Sequence, residues 1–329
     1  MSTTTKVVLI VAGVLVVCIL GAAVTLGLMA GHNGMPNWNG LFRSAVIDID
    51  ESAELDLSGV SHINIENVSG RIIVAPGEPR ATLTGRVTTN TDKKTFLEVQ
   101  NKNGTLTVRT DFMTIYPNFI SGDMVLTVYL PEDVGVNASV IGTSSNADVS
   151  NIRFDSLSVH STSGSVKVTG CSGSSLKAGS TSGKAEVRDV RFGSMEIGST
   201  SGDVTVKGAD GNLSASCTSG SIEISDVSGV LDVSNTSGGV SVTLSQAEIQ
   251  PASIHSISGS IRLTLNPDAA FNLDVDSVSG GFSSDFDITI SGRQGGYVTG
   301  EDIYGKVNGG GALVELSTVS GGIDLVKAQ

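Results

Sequence analysis

Between Ser156 and Gly280 the chain alternates apolar and polar residues with a period of two, and Thr-Ser-Gly or Val-Ser-Gly turns break the alternation at regular intervals. Leu157, Val159, Val166 and Val168 flank one such turn, and Met195, Ile197, Val204 and Val206 flank another. The turn glycines are Gly164, Gly183, Gly202, Gly220, Gly238, Gly259 and Gly280, with spacings of 19, 19, 18, 18, 21 and 21 residues. Alternation of this kind predicts strands, and a fixed period near twenty predicts coils stacked one on the next. The expected fold is all-β: a single β-solenoid (β-helix) of 18–21-residue coils, preceded by one N-terminal transmembrane helix.

Counted from each turn glycine, the apolar positions are −7, −5, +2 and +4. Position +2, for example, reads Val166, Ala185, Val204, Ile222, Val240, Ile261 and Phe282. Residues two apart share one face of a strand, so these side chains point inward and stack on their equivalents above and below. Each buried Val, Ile or Leu stabilises by roughly 1.5–3 kcal/mol. Several per coil must offset the ordering of nearly twenty residues, which an array achieves and a lone coil does not. Position −3 is inward by parity yet polar: Ser161, Ser180, Ser199, Cys217, Asn235, Ser256 and Ser277. Small side chains there are expected to cap backbone groups at the corner. The turn glycine is expected to supply a positive φ. A second bend is expected at Gly173, Gly193, Gly211 and Gly229, with a short third side at residues such as Val190 and Val227.

Outside the regular repeats (151–290), residues 44–150 read as irregular coils with an early copy of the unit at residues 63–74. Residues 291–329 read as closing coils that end in Thr318-Val319-Ser320-Gly321-Gly322-Ile323-Asp324-Leu325. The 41 residues between Gly280 and Gly321 are close to two periods, with residues 291–304 expected to loop off one coil.

Residues 7–31 carry no charge, and 25 helical residues span about 37 Å, enough to cross a ~30 Å hydrocarbon core. A cleaved signal peptide, the competing reading, has an apolar region of only about 7–15 residues. Residues 1–31 are therefore expected to be a membrane anchor and 32–43 a tether. Lys6 lies on one side of the run and no Lys or Arg follows it before Arg43. The positive-inside bias then places the solenoid (44–329) on the extracytoplasmic side of a single-pass cell-membrane protein.

The chain has a net charge of −13, and without Lys6 the remainder carries 19 Lys+Arg against 33 Asp+Glu. Such a surface argues against nucleic acid as a partner. The three cysteines form no disulfide framework: Cys18 lies in the apolar run, and Cys171 and Cys217 fall about 2.4 coils, roughly 11 Å, apart. His32, His62, His160 and His255 occupy unrelated positions, with His160 and His255 expected simply to be solvated. Asp276, Asp285 and Asp287, with Glu301 and Asp302, approach a carboxylate cluster but carry no motif. No catalytic residue, metal site or cofactor is expected. Position −2 points outward and reads Thr162, Thr181, Thr200, Thr218 and Thr236. This row either meets an ordered surface such as a glycan or reflects the strand preference of β-branched residues.

The repeated Thr-Ser-Gly-x-[Val/Ile]-x-[Val/Ile] units, Val128-Tyr129-Leu130-Pro131 before them, and the terminal Gly-Gly-Gly…Thr-Val-Ser-Gly-Gly-Ile-Asp-Leu resemble the DUF4097 family of adhesin-like proteins over residues 45–327. The resemblance implies a solenoid linked to a membrane segment and to envelope stress, and it brings no catalytic residues. The functional expectation is a non-enzymatic, membrane-anchored surface protein acting in adhesion, envelope scaffolding or envelope-stress sensing. Its expected partners are the membrane and an envelope glycan or protein. The alternative is a β-helix enzyme that modifies surface polysaccharide.

Overall fold

A computed structural model describes residues 45–89, 95–111, 119–290 and 301–329. The expected anchor and tether lie outside the described residues. Among the described residues no helix is long and apolar enough to cross a membrane.

Ala45–Gln329 forms one unit, a 23-stranded sheet wound into coils. The strand leading into each Ser-Gly corner builds a first face and the strand leaving it a second. On the first face Ser156–Ser161 pairs in parallel with residues 175–180, which pair in turn with 194–199. On the second face residues 185–188 pair with Val166–Thr169 and with 204–207. Inward positions alternate with outward ones as the sequence predicts: Val166, Ala185, Val204, Ile222, Val240 and Ile261 are all buried. A short third side closes each regular coil, with Val190 paired to Ala209 and Ala209 to Val227.

The turn glycines are present for a different reason from the one expected. Gly164, Gly183, Gly202, Gly220, Gly259 and Gly280 do not have a positive φ; among the regular repeats' turn glycines only Gly238 does, at 122°. Instead the corners stack backbone on backbone. A Cβ on Gly183 would lie 2.3 Å from the Gly164 carbonyl oxygen, and one on Gly202 would lie 2.2 Å from that of Gly183. The column continues through Gly220, Gly238 and Gly259, so the repeat requires the absence of a side chain rather than a left-handed backbone. The polar ladder at position −3 caps the corners as expected over Ser161, Ser180 and Ser199, but not at Ser256, whose Oγ is buried without a partner. Ser180 Oγ donates to the Gly164 carbonyl at 2.8 Å and accepts from the Gly183 N–H at 2.8 Å, and Ser161 and Ser199 repeat the pattern.

Both ends depart from chain order. Residues 62–76 lie between the coil 105–130 and the coil 137–149. At the other end Ala312–Ser320 and Ile323–Lys327 are inserted between the coils 252–265 and 271–284. Gly280 and Gly321 therefore occupy adjacent levels in reverse order, not levels two periods apart. Residues 301–304 of the segment expected to loop out belong instead to the strand Glu301–Val307, antiparallel to Phe271–Ser279. The register permits the insertion: Val314, Leu316, Thr318 and Ile323 match the inward phase of both neighbours. Antiparallel strands flank the stack, with Ala45–Glu54 on Arg80–Thr89 and Leu97–Lys102 on Thr105–Thr110 at the first end. There the Glu51 carboxylate accepts the N–H groups of Phe96 and Leu97 at 2.8–3.1 Å, occupying donors that an open edge would offer to another chain.

Candidate functional site: the third-side groove and the corner row

The third side carries a second periodicity of two coils. Asn151-Ile152-Arg153-Phe154 and Asp189-Val190-Arg191-Phe192 alternate with Gly170-Cys171-Ser172-Gly173 and Gly208-Ala209-Asp210-Gly211. The alternation follows from packing across levels. Asn151, Gly170, Asp189, Gly208 and Asp226 all sit in the left-handed region, with φ between 52° and 66°. Asn and Asp tolerate that conformation by bonding locally, and Gly tolerates it freely. They cannot all be Asn or Asp, because each side chain leans over the next level. A Cβ on Gly170 would lie 2.1 Å from Asn151 Oδ1, and one on Gly208 would lie 2.7 Å from Asp189 Oδ1. The inward column alternates likewise: Phe154 and Phe192 are buried, and the Phe192 ring reaches within 2.9 Å of where a Cβ on Gly173 would stand.

The third side is recessed from the Arg153 level, past the Arg191 level, to the Ser228 level. It forms a groove of about 950 Å³ lined by Arg153, Ser172, Asp189, Arg191, Asp210 and Asp226 among others. Arg153 and Arg191 both pair with Ser172, one level to either side. Each guanidinium is steadied by a carboxylate from the level beyond. Arg153 Nη1 donates to both Asp133 oxygens at 2.8 and 3.1 Å, and Arg191 Nε donates to Asp210 Oδ2 at 2.8 Å. Ser228 Oγ also donates to Asp210 at 2.7 Å, and this bond, with Arg191, holds the Asp210 carboxyl below the usual carboxylate range. Both arginine side chains remain more than half exposed. The groove thus offers paired donors and acceptors over a floor of small residues.

The corner row is as regular as expected. Backbone bonds link it level by level, as in Ser182 N–H to Thr162 C=O and Ser201 N–H to Thr181 C=O. Thr162 is exposed, and Thr181, Thr200, Thr218 and Thr236 are half-buried. Thr143 extends the row on one side, because Ser163 N–H donates to its carbonyl. On the other side the inserted coil makes Ile257, Val319 and Val278 consecutive. Beside the row the first face is nearly bare at Gly179 and Gly198, next to a Lys177–Glu196 pair at 2.8 Å.

The structure does not bring the other chemistry-bearing residues together. His255 is not simply solvated: Ser253 Oγ lies 2.7 Å from its Nε2, and Ser317 of the inserted coil holds its Nδ1. Cys171 and Cys217 are free and buried, and burial pushes both thiols up. Among the described residues no group of three His, Cys, Asp or Glu side chains converges to hold a metal. The two-coil signal was present in the sequence at a period of 38 residues, twice the period that dominates it.

The Toastrack DUF4097 family profile matches residues 60–326. Similar solved structures include a "putative adhesin" and a "putative lipid binding protein" from Parabacteroides distasonis ATCC 8503. Each is 13% identical, with TM-scores of 0.46 and 0.47, covering 86% and 85% of this chain and 97% of theirs. A "putative adhesin" from Parabacteroides merdae ATCC 43184 is 11% identical over 88% of this chain and 97% of its own, with a TM-score of 0.34. No curated protein matches the chain. With the matched region spanning nearly all of the described solenoid, the chain belongs to the Toastrack DUF4097 family.

Proposed function

We propose that the chain is a non-enzymatic, membrane-anchored β-solenoid of the cell envelope that binds an extended neutral glycan along its third-side groove, in adhesion, scaffolding or stress sensing. The uncharged run at residues 7–31 supports the anchor. The observation that carries the binding role is the two-coil repeat, which sets Arg153 and Arg191 two levels apart, about 9.6 Å at ~4.8 Å per level. That is the scale of a disaccharide step along an extended glycan. Neighbouring sugar hydroxyls both donate and accept, and each Arg–Asp pair presents both partners. Asp133, Asp189, Asp210 and Asp226 make the groove unfavourable for an anionic polymer. An enzyme acting on the same polymer needs a carboxylic acid with a raised pKa, whereas Asp210 is shifted downward.

Binding of defined neutral and carboxylated oligosaccharides, measured by a glycan array and by titration, tests the proposal. Arg153→Gln with Arg191→Gln is expected to weaken neutral-glycan binding at least tenfold. The fold should be unaffected, because both side chains are more than half exposed and such pairs add little stability. Thr181→Val with Thr200→Val and Thr218→Val, which keeps β-branching and removes hydroxyls, is expected to bind as wild type. Undiminished binding by the arginine variant would sink the groove reading, and loss in the threonine variant would move the site to the corner row.

A further inference from the structure

The most C-terminal coil described occupies an internal level. Residues 312–327 separate two coils, 252–265 and 271–284, that are joined directly by residues 266–270. The outer two are registered to the same inserted residues: Ala252 and Leu273 to Val314, Ile254 and Val275 to Leu316, Ser256 and Ser277 to Thr318, Ile261 and Phe282 to Ile323. They therefore share one inward phase and can pair with each other when the inserted coil is out. The seam also leaves rungs of the −3 ladder unpaired, as Thr169 Oγ1 and Asn235 Oδ1 are elsewhere in the array. Ser256 Oγ and Thr318 Oγ1 are buried without a hydrogen-bond partner, where Ser161, Ser180 and Ser199 each have two. Ile257, Val319 and Val278 stack across it with 42–56% of their surface exposed.

The inserted coil hangs on a short hinge. Asn308, Gly309 and Gly310 have successive φ values of 48°, 92° and 88° between Glu301–Val307 and Ala312–Ser320. The hinge is latched by side chains: Asn308 Nδ2 donates to the carbonyls of Pro267 and Ala269 at 3.1 and 2.9 Å, and Asn272 Nδ2 to that of Gly311 at 2.6 Å. The strand Glu301–Val307 is held separately by Phe271–Ser279, so the coil can leave its slot without dismantling the strand before the hinge.

The geometry points to coil exchange between copies: residues 312–327 of one chain occupy the slot between coils 252–265 and 271–284 of a second copy. The slot accepts an inward Val-x-Leu-x-Thr with a bare Gly-Gly corner followed by Ile-x-Leu, and an identical chain supplies that segment with every native contact intact. This assembly is independent of the glycan reading.

Full-length chains with Cys18→Ser test it. One population carries Ser258→Cys and another Ser320→Cys, register partners on adjoining parallel strands and both exposed. Their Cα separation, about 4.8 Å, lies within disulfide range. After mixing and mild oxidation, a disulfide between the populations reports exchange, and both cysteines in one chain report the resident seam. Asn308→Gly keeps the positive φ but removes the latch, and is expected to raise the intermolecular product at least fivefold. Chains carrying Ser201→Cys, on a distant coil, measure random collision. Coupling of Ser258→Cys chains to Ser320→Cys chains no greater than to Ser201→Cys chains, in both backgrounds, overturns the inference. If Asn308→Gly does not fold, Asn308 chains warmed below their unfolding transition decide the comparison.

Discussion

At the scale of single residues the turn glycines show how one observation can have two physical causes. A glycine at a corner suggests backbone freedom, but here the neighbouring level leaves no room for a Cβ. Gly202→Ala would drive a methyl to 2.2 Å from the Gly183 carbonyl oxygen, and backbone cannot step aside as a flexible side chain does. Overpacking of this kind is expected to cost about 3 kcal/mol or more, or to prevent folding. Gly239 also lies at a corner, but has no positive φ and nothing within 4 Å of its would-be Cβ. Gly239→Ala is expected to leave stability within about 0.5 kcal/mol of wild type. Denaturant titration of the two variants tests this: equal loss in both would rule out the close backbone contact as the cause. The serines at position −3 were legible for the opposite reason, since parity alone places them inside, and Ser161, Ser180 and Ser199 find their partners at the corner.

At the scale of strands, outward charges pair both along a strand and across levels. On the second face Glu186 meets Arg188 at 2.6 Å, Lys184 at 3.1 Å and Lys167 at 3.8 Å. Hydrogen bonding from Arg188, and then from Lys184, lowers the Glu186 pKa from 4.5 to about 2. Because the folded value is depressed, this contribution is fully present above the unfolded pKa and disappears as pH falls from about 4.5 to about 2. The shift alone corresponds to at most about 3 kcal/mol. With Arg188 and Lys184 each about 40% exposed, about 1–2 kcal/mol is the expected size. Glu186→Gln should therefore be less stable than wild type by that amount in urea at pH 7, and the difference should close by pH 2. A gap that persists unchanged at pH 2 would assign the effect to packing instead. Neighbouring levels were legible here because the repeat pairs position +3 with position +3, yet which of Lys184, Arg188 and Lys167 lies closest depends on rotamers.

At the scale of the whole molecule the topology depends on where each coil is placed. A regular repeat implies stacking in chain order, and the middle of the array obeys. The ends do not, because any coil with the inward phase fits any level, and local pairing carries no instruction about order. Antiparallel strands at both ends then occupy edges that a parallel stack would leave open. The proposed anchor belongs to this scale as well. Protease added to intact cells or spheroplasts is expected to digest residues after 44 and to leave residues 1–31 in the membrane. Protection of the entire chain would reverse the orientation, and a mature N-terminus near Gly31 would replace the anchor by a cleaved leader.

Alternation and period, read along the chain, were enough to establish the parallel coils, the inward columns and the corner row, since each depends only on which face a residue occupies. The groove required three dimensions. Asn151 and Gly170, or Phe192 and Gly173, are 19 residues apart in sequence and in contact only because successive levels stack. The insertion of residues 312–327 required them even more. Its register satisfies the same pattern as stacking in chain order, so only the packing of levels against one another could select between the two.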